Sequence, residues 1–298
     1  MARGRRLSRQ ILLRCHTRRG KCRAGYRLGR RWLVRARDPP DIEPDWPLYS
    51  GQPRVNSSPD KGQALLDALA GNGPIMTPVA LVVAHQDDEA IAAAGTLVRF
   101  RALTLIHLTD GATSPSAPFS QPGFSNRDEY AQTRARELDR ALQACLAVPQ
   151  RQICYQLPDQ TVGEAIGTLT KRLAADLLAV DAVITHPYEG GHMDHDAAAR
   201  AVALACALLA RATGRAPARL EFAGYHRIGN DVRTGEFWPD PACPAVKITL
   251  SPSARRRREA AFECFTSQRD NLRYFSTLGE SFRIAPDYDF TQAPPTRS

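Results

Sequence analysis

The sequence predicts a three-layer α/β/α sandwich around a mostly parallel sheet. Short apolar runs rich in β-branched residues alternate with longer helical patterns along most of the chain. The first of these runs, residues 79–84, is apolar throughout, as expected of a strand that is covered by helices on both faces. With 298 residues, of which 43% are hydrophobic, the chain can form one large α/β domain and an additional segment.

The predicted elements alternate from residue 62 onward. Strands are predicted over residues 79–84, 103–109, 153–157, 182–185, 220–225 and 245–250. Helices, in which apolar or alanine residues recur every three or four positions, are predicted over residues 62–69, 90–98, 127–147, 162–180, 196–212 and 253–265. The stretch 112–125, rich in Ser, Pro, Gly and Phe, is long enough to be a binding loop. We expect this stretch and segment 229–244 to determine which substrate is used.

The positive charge of the chain is confined to its amino-terminal part. Residues 1–40 contain 14 of the 40 Lys and Arg residues but one of the 31 acidic residues, so the remainder is mildly acidic. The net charge of +9 is therefore no argument for a nucleic-acid-binding catalytic domain. We predict a poorly ordered basic arm over residues 1–45, with weak contact to acidic lipid or nucleic acid as the alternative. A linker with a short helix over 46–75, one α/β domain over 76–290 and a tail over 291–298 complete the predicted organisation.

The cysteines and the apolar runs indicate the compartment. Seven cysteines are scattered along the chain, and no pair has CxxC spacing. This pattern is typical of small buried residues in a reducing compartment, rather than of disulfides or a zinc knuckle. No apolar run approaches the roughly 18 residues of a membrane span. We therefore expect a cytoplasmic protein that is peripheral to a membrane only through its basic arm. None of these patterns predicts an oligomeric state.

Four ionisable residues follow the first predicted strand, in the run His85-Gln86-Asp87-Asp88-Glu89. Open α/β sheets bind their ligands in a crevice at the carboxyl ends of the strands. His85 and Asp88 are three residues apart where the chain turns into a helix, so both can face one ion. Asp87 would point elsewhere and be free to act as a general base, while Glu89 would support the start of the helix.

A second polar turn follows the fourth predicted strand. It runs from His186 to Asp196 and contains three histidines and a glycine pair. Two parallel strands that each end in a His/Asp cluster can bring those clusters together across one crevice. Such a cluster suits metal-assisted hydrolysis, because catalytic zinc takes three protein ligands and keeps one position open for water. Taken singly, either turn could be structural, with acids at a helix start and Asp194 as a helix cap. Two such turns after buried strands favour a functional site.

The two turns resemble the signature of the PIG-L / LmbE-like N-acetylglucosaminyl deacetylases. The Ala-His-Pro-Asp-Asp-Glu motif of that family stands here at residues 84–89, with Gln86 in place of proline, and its His-x-Asp-His motif stands at residues 192–195. Shorter supporting matches lie at residues 109–111, 134–137, 157–159 and 266–268. The resemblance covers roughly residues 78–290. It implies a Rossmann-like, LmbE-like fold and a zinc hydrolase domain over residues 76–290.

The resemblance also implies roles for individual residues. Three of them would be the zinc ligands: His85, Asp88 and His195. Asp87 would be the general base, and His192 would stabilise the oxyanion and protonate the leaving amine while Asp194 orients it. The implied reaction is the hydrolysis of an N-acetyl amide, which is a linear non-peptide amide, on a small N-acetylglucosamine-containing glycoconjugate. It would release acetate and an amino sugar.

Other polar residues near the predicted crevice could hold sugar hydroxyls. The candidates are Asp110, Arg127, Arg134 and Glu189. Arg134 and Glu137 could instead form a structural pair on one helix, which is the role we expect for Glu137. Gln86 removes no ligand, and glutamine can adopt the backbone angles of proline at an entropic cost, so we expect activity to be retained.

Two other classes of function stay open from the sequence. A two-metal phosphoesterase of the Asp-His-His type also places Asp/His clusters at strand ends, but it needs bridging carboxylates and a compact triplet. This chain has Asp194-His195-Asp196 instead. Alternatively, the basic arm is the functional part, and the α/β body is a scaffold for binding acidic lipid or nucleic acid. The arm lacks the interleaved aromatic and glycine pattern of an RNA-binding module.

Overall fold

In the computed structural model of this chain, the described residues are 59–229 and 231–295. They belong to the second of the two units into which the chain divides, Val34–Ser298. The predicted arm over residues 1–45 and the first part of the predicted linker, residues 46–58, lie outside the described residues, so both remain predictions.

Strands and helices alternate along the described residues. The strands are β1 Val79–Val83, β2 Leu103–Thr113, β3 Arg151–Asp159, β4 Ala182–Thr185, β5 Ala218–Phe222, β6 Tyr225–Ile228, β7 Asp231–Thr234, β8 Val246–Thr249 and β9 Gly279–Ile284. The α-helices are α1 Pro59–Ala70, α2 Asp88–Ala93, α3 Arg127–Ala144, α4 Ile166–Leu177, α5 Met193–Thr213, α6 Pro252–Cys264 and α7 Arg269–Leu272. Short 3₁₀ helices lie at Leu97–Arg99, Val162–Ala165 and Thr266–Gln268.

The main sheet has seven strands within the described residues, in the order β3-β2-β1-β4-β5-β9-β8. β1 pairs in parallel with β2 and β4, and β4 pairs in parallel with β5. β9 runs antiparallel between β5 and β8, while β6 and β7 form a separate hairpin. The predicted mostly parallel sheet is therefore confirmed. The strand order reverses between β1 and β4, and ligands bind at such a switch point in open α/β sheets.

Helices cover both faces of this sheet. In β1, Val79, Leu81 and Val83 belong to one apolar cluster together with side chains of α1, α3 and α6. Ala80 and Val82 belong to a second cluster, which contains side chains of α4 and α5. Successive side chains of a strand point to opposite faces, so a strand without polar positions is buried on both. The result is the predicted three-layer α/β/α sandwich. No helix in the described part of the chain is long and apolar enough to cross a membrane.

The structure differs from the sequence prediction mainly after residue 222. The predicted strand 220–225 is two strands, because β5 ends at Phe222 and Tyr225 begins the hairpin. β9 was not predicted, because Glu280 and Arg283 interrupt its apolar pattern. Both side chains are nevertheless buried, and they pair with Arg258 and Glu221 respectively. Because charged residues occupy buried positions, β9 lacks the apolar pattern from which strands are predicted.

Candidate active site

The two polar turns predicted as half-sites lie side by side in the structure. β1 and β4 are neighbours with parallel register, so the turn after Val83 and the turn after Thr185 leave the same edge of the sheet. The Ala84 backbone N–H donates to His186 Nε2 across 3.0 Å, which connects the two turns directly. The strand pairing thus brings together residues that are about a hundred positions apart in sequence.

Asp88 lies at the centre of the site. Its Oδ2 accepts a hydrogen bond from the His85 backbone N–H at 2.7 Å and lies 3.4 Å from His186 Nε2. Its Oδ1 lies 3.4 Å from His195 Nε2, and His85 Nδ1 is 3.4 Å from Oδ2. Burial acts to raise the pKa of Asp88, but His195 and His186 outweigh it and hold that pKa well below its usual value. Asp88 is therefore a buried carboxylate faced by three imidazoles.

His85 faces a second group of acids with its other ring nitrogen. His85 Nε2 lies 2.9 Å from Asp159 Oδ1 and 3.3 Å from Asp194 Oδ2. Burial acts to lower the pKa of His85, but Asp159, Asp194 and Asp88 together raise it well above its usual value. His85 thus connects the carboxylate of its own turn with two carboxylates from elsewhere in the fold.

Three overlapping sets of side chains could hold a metal ion among the described residues. In each set the ligand atoms lie within 4.8 Å of one another, and the sets are His85/His192/His195, Asp88/His186/His195 and His85/Asp159/Asp194. His85 and His195 each belong to two sets, and Asp88 belongs to one. His85 and His195 thus share one set, and Asp88 and His195 share another, while none of these sets contains all three predicted zinc ligands. Asp88 lies 3.4 Å from each of the two histidines.

Asp87, the predicted general base, has an unusual backbone conformation. Its φ is 137°, in a region that side-chain-bearing residues rarely adopt and that costs on the order of 1–3 kcal/mol. The Asp87 backbone N–H donates to Glu89 Oε2 at 3.0 Å, and Asp87 Oδ1 lies 3.3 Å from Arg134 Nη2. Glu89 is itself paired with His107 at 3.0 Å. Burial raises the pKa of Asp87 to about 7, although Arg134 opposes the rise. Glu89 thus supports the turn, as predicted, by fixing the backbone of Asp87.

His192 stands at the amino-terminal cap of α5. Its Nδ1 accepts a hydrogen bond from the Asp194 backbone N–H at 3.1 Å, so in the neutral ring the proton is on Nε2. Burial, together with the neighbouring His195 and His85, lowers the pKa of His192 to about 4. The Asp194 carboxylate accepts from the backbone N–H groups of Gln160 at 2.6 Å and Val162 at 3.1 Å. The link from Asp194 to His192 therefore runs through the backbone, whereas the Asp194 carboxylate faces His85.

The four predicted sugar-binding residues differ in their surroundings. Asp110 and Arg127 form a partly exposed pair at 2.6 Å, and Arg127 Nε also donates to the carbonyl oxygen of Thr113 at the end of β2. Arg134 is buried against Asp87 and also donates to the Gln86 carbonyl oxygen. Glu189 is buried and lies 2.8 Å from Arg283 Nη2. Their contact with a sugar remains a prediction, and only Asp110 and Arg127 are partly open to solvent.

Glu137 has the structural role that we expected, but with different partners. Its carboxylate accepts hydrogen bonds from the Thr266 hydroxyl at 2.7 Å, and from the Ser267 backbone N–H at 2.9 Å and hydroxyl at 2.5 Å. Glu137 therefore anchors the 3₁₀ helix Thr266–Gln268 to α3, whereas Arg134 turns toward the site. The adjacent Gln268 donates to the Tyr130 hydroxyl at 2.6 Å, and that hydroxyl accepts from Arg134 at 3.3 Å.

Gln86 points away from the site. Its side chain is buried between β2 and β3, where Nε2 donates to the Thr109 carbonyl oxygen at 2.9 Å. Its Oε1 lies so close to Gly111 that a Cβ there would approach it to 2.6 Å. The residue that replaces the family's proline therefore fixes the turn to β2, and it does not line the crevice.

Sequence reasoning assigned no role to three residues that the structure places at the site. Asp159 ends β3 and reaches His85, and His186 stacks on His195 with ring centroids 3.9 Å apart. Tyr225 begins β6, and its ring centroid lies 5.3 Å from that of His195. Asp159 and His186 each stand at the carboxyl end of a strand, and this signal could have identified them. No sequence pattern marked Tyr225, which only the path of the chain after β5 brings to the site.

Comparison with known proteins indicates the class of the domain. Residues 80–206 match the family described as PIG-L: GlcNAc-PI de-N-acetylase. No curated protein sequence matches the chain significantly. This matched range contains both polar turns and the residues of all three possible metal sets.

Several solved structures share the fold at low sequence identity. The 4-carboxy-2-hydroxymuconate hydratase GalB from Pseudomonas putida KT2440 is 20% identical with a TM-score of 0.53, covering 72% of this chain and 99% of that chain. The A40926 pseudoaglycone deacetylase Dbv21 is 15% identical with a TM-score of 0.51, over 72% and 99% of the two chains. A triple mutant of the deacetylase of the teicoplanin biosynthetic pathway is 17% identical with a TM-score of 0.53, over 72% and 100%. At these identities, the likeness establishes the fold alone. The match over residues 80–206, which is less than half of the chain, is to a domain described as a de-N-acetylase and indicates a deacetylase enzyme.

Proposed function

We propose that this chain is a zinc-dependent hydrolase that removes the N-acetyl group from a small glycoconjugate containing N-acetylglucosamine. The observation that carries this proposal is the convergence on Asp88 of imidazoles from both turns, with Asp87 beside it in a strained backbone conformation. Strained residues cluster at functional sites because surrounding contacts must hold them in place. The family match over residues 80–206 supports the choice of an amide bond as the target.

The donor set fits zinc. Imidazole and carboxylate are common ligands of catalytic zinc, and three imidazoles lie within 3.4 Å of the Asp88 carboxylate here. His85, Asp88 and His195 would hold the ion, as the family motif implies. When bound, zinc supplies Lewis-acid polarisation of the acetyl carbonyl and lowers the pKa of a water molecule toward 7. Asp159 and Asp194 face the other nitrogen of His85 and would fix the orientation of its ring.

Asp87 is suited to accept the proton of the attacking water. Its backbone is held by Glu89, and its carboxylate is held at 3.3 Å by Arg134. The carboxylate therefore has little freedom to rotate, and positioning of this kind typically contributes several kcal/mol to lowering a barrier. Burial favours the protonated form of Asp87. The positive charge of Arg134 opposes this effect and favours the ionised carboxylate, which is the form that can accept a proton.

His192 is suited to serve the amide oxygen and the leaving amine. Because its Nδ1 accepts from the Asp194 N–H, its Nε2–H is the group that can donate to the oxygen as charge develops there. To protonate the departing nitrogen, the ring would first have to take up the proton that Asp87 accepts from the water; the nitrogen would then leave as the amino group of the sugar. The capping bond fixes both the tautomer and the direction of the ring.

The proposed substrate carries an acetylated amino sugar. Two of the structurally similar proteins are deacetylases, one acting on the A40926 pseudoaglycone and one from the teicoplanin pathway, and both are compatible with an acetylated amino sugar as substrate. Asp110 and Arg127 offer a partly exposed charged pair that could bind sugar hydroxyls. We propose Arg134 and Glu189 as further substrate contacts. Both are buried, so their side chains would have to leave their partners, Asp87 and Arg283 respectively, to reach a sugar.

The proposal is tested by metal content and acetate release measured on the same samples. The full chain, purified with zinc, should hold one metal ion and release acetate from at least one member of a panel of N-acetylglucosamine conjugates. Chelation should abolish this release, and zinc should restore it. Asp88→Asn should lose the metal, whereas the matched surface variant Asp67→Asn should keep both metal and activity. If Asp88→Asn retains a full equivalent of zinc, the assigned ligand set is wrong.

The same measurements separate two other reactions. A hydratase shares this fold, so the fold alone does not specify the chemistry. A chain that holds zinc and releases no acetate from any conjugate in the panel would contradict deacetylation. A two-metal phosphoesterase would hold two ions about 3.5–4 Å apart and release phosphate from a phosphodiester. One equivalent of metal with acetate as product supports the proposal against both.

A further inference from the structure

A buried pair of side chains, Glu89 and His107, lies behind the turn that follows β1. Glu89 belongs to the first turn of α2 and His107 to β2, and each side chain is 1% exposed. Glu89 Oε2 accepts a hydrogen bond from the Asp87 backbone N–H at 3.0 Å and lies 3.0 Å from His107 Nε2. Because both contacts end on the same carboxylate oxygen, His107 is connected to the backbone of Asp87 through a single atom.

The backbone conformation of Asp87 depends on this carboxylate. Asp87 is the amino-terminal cap of α2, but its side chain makes no capping hydrogen bond, and its φ is 137°. Such a conformation persists only where surrounding contacts fix it. In a capping box, a glutamate of the first turn binds the N–H of the cap residue while the cap side chain binds the helix. Here Glu89 supplies only the first of these bonds. The Asp87 carboxylate is therefore left free of the helix, and Glu89 holds its N–H.

His107 interrupts an apolar face of β2. The two preceding residues on that face, Leu103 and Leu105, belong to the apolar cluster that contains side chains of α3. Replacing a buried polar pair by well-packed apolar residues is often neutral or stabilising, so packing alone does not require a histidine here. Within the described part of the chain, Glu89 Oε1 and His107 Nδ1 are also buried without a hydrogen-bond partner, which is unfavourable. The pair is therefore better explained by what it holds than by the stability of the core.

We propose that His107 is a positioning residue for Asp87 and acts through Glu89. The role of Asp87 as a base rests on the proposed function, whereas the hold on its backbone follows from the two hydrogen bonds to Glu89 Oε2. His107 fixes the direction of the Glu89 carboxylate, and this carboxylate fixes the Asp87 N–H. Without His107 the carboxylate can rotate, and the Asp87 backbone can leave its strained conformation. A misplacement of a reacting group by about 1 Å can lower a rate about 100-fold.

The test compares His107→Leu, which removes the hydrogen bond, with His107→Gln, whose amide nitrogen can take the place of Nε2. Crystal structures of the zinc-loaded full chain give the φ of Asp87, and steady-state acetate release gives kcat and KM. In His107→Leu we expect φ to leave the positive region and kcat to fall about 10- to 100-fold, with KM and zinc content within about twofold of the wild type. His107→Gln should keep φ and at least about a third of kcat.

Two further variants control for size and polarity. His107→Asn is polar, but its side chain is too short to place a donor at the Nε2 position, so it should behave like His107→Leu. Thr104→Val changes a buried residue on the opposite face of the same strand and should keep both φ and kcat. A His107→Gln variant as impaired as His107→Leu, or an unchanged φ of Asp87 in His107→Leu, would overturn the proposal.

A double-mutant cycle separates positioning from a general loss of packing. In an Asp87→Asn background, His107→Leu should lower the remaining kcat by less than about twofold, because the base that it positions is absent. A loss as large as in the wild-type background would contradict the positioning role, since a purely structural effect does not depend on the base.

The φ of Asp87 keeps this inference separable from the proposed function. If φ depends on His107 as expected but the zinc-loaded wild type releases no acetate from any conjugate, the hold of His107 on Asp87 stands and the deacetylase proposal fails. If acetate is released, and φ and kcat are the same in the wild type and in His107→Leu, the deacetylase proposal stands and His107 is a core residue only.

Discussion

Glu221→Gln should make this protein more stable at pH 8 and change its stability little at pH 5. Glu221 in β5 lies directly opposite Arg283 in β9, and Glu189 faces the same guanidinium. One arginine thus pairs with two buried carboxylates. When both carboxylates are ionised, the cluster carries one excess negative charge in the interior. Tyr288 donates to Glu221 Oε2 at 2.9 Å but carries no charge to balance it. Burial raises the pKa of Glu221 to about 8 and that of Glu189 to about 7, although Arg283 opposes both shifts.

The magnitude follows from proton linkage. Below about pH 4.5, Glu221 is protonated in the folded and the unfolded chain, and its contribution to stability is fully present. Between about pH 4.5 and 8, the folded chain retains a proton that the unfolded chain has released, so stability falls as pH rises. The full difference between the two pKa values corresponds to a loss of about 5 kcal/mol. Glutamine cannot ionise, so the variant loses this part of the pH dependence.

The assay is urea denaturation of both chains at pH 5, 6.5 and 8, with chelator present so that the metal-site residues titrate alike in both. The stability difference in favour of Glu221→Gln should grow from about 1 kcal/mol at pH 5 to several kcal/mol at pH 8. Glu164→Gln, at an exposed position, controls for the loss of one acid and should follow the wild type. If the free energies of unfolding of the wild type and of Glu221→Gln changed with pH in parallel, Glu221 would be ionised throughout this pH range and the prediction would be wrong.

Three further predictions concern the catalytic turn, the glycine beside it and the basic arm. Asp87→Asn should keep the zinc and the fold but lower kcat at least 100-fold, as steady-state acetate release would show; a smaller loss would remove Asp87 as the base. Gly111→Ala should destabilise the chain by about 1–3 kcal/mol in thermal unfolding, because φ is +74° there and a Cβ would meet Gln86; unchanged stability would contradict that packing. Gly73→Ala, where a Cβ has open space, is its control. Deleting residues 1–45 should leave acetate release intact and reduce retention on vesicles of anionic lipid or on nucleic acid, and loss of turnover instead would place the arm in catalysis.

Most of the sequence features that predicted the site lie within short stretches of the chain. Each polar turn directly follows a buried apolar run, so the strand, its end and the charges beyond it are visible in about ten consecutive residues. Parallel pairing then dictates that such strand ends share one edge of a sheet, and for this reason the proximity of the two turns could be predicted. The same local periodicity identified the helices that flank the parallel strands, although their ends differ by a few residues.

What the sequence by itself determined, then, is the α/β/α sandwich and the pair of turns that make the site. The tertiary structure alone decided which further groups join them. It brings Asp159 to His85, stacks His186 on His195, and turns Gln86 away from the crevice toward Thr109. It also inserts β9 into the sheet, with Arg283 buried between two carboxylates. These features depend on contacts between residues far apart in sequence, and a buried charge is stable only when its partner is in place. No local pattern can encode such a pairing, because neither residue alone shows that the other is present.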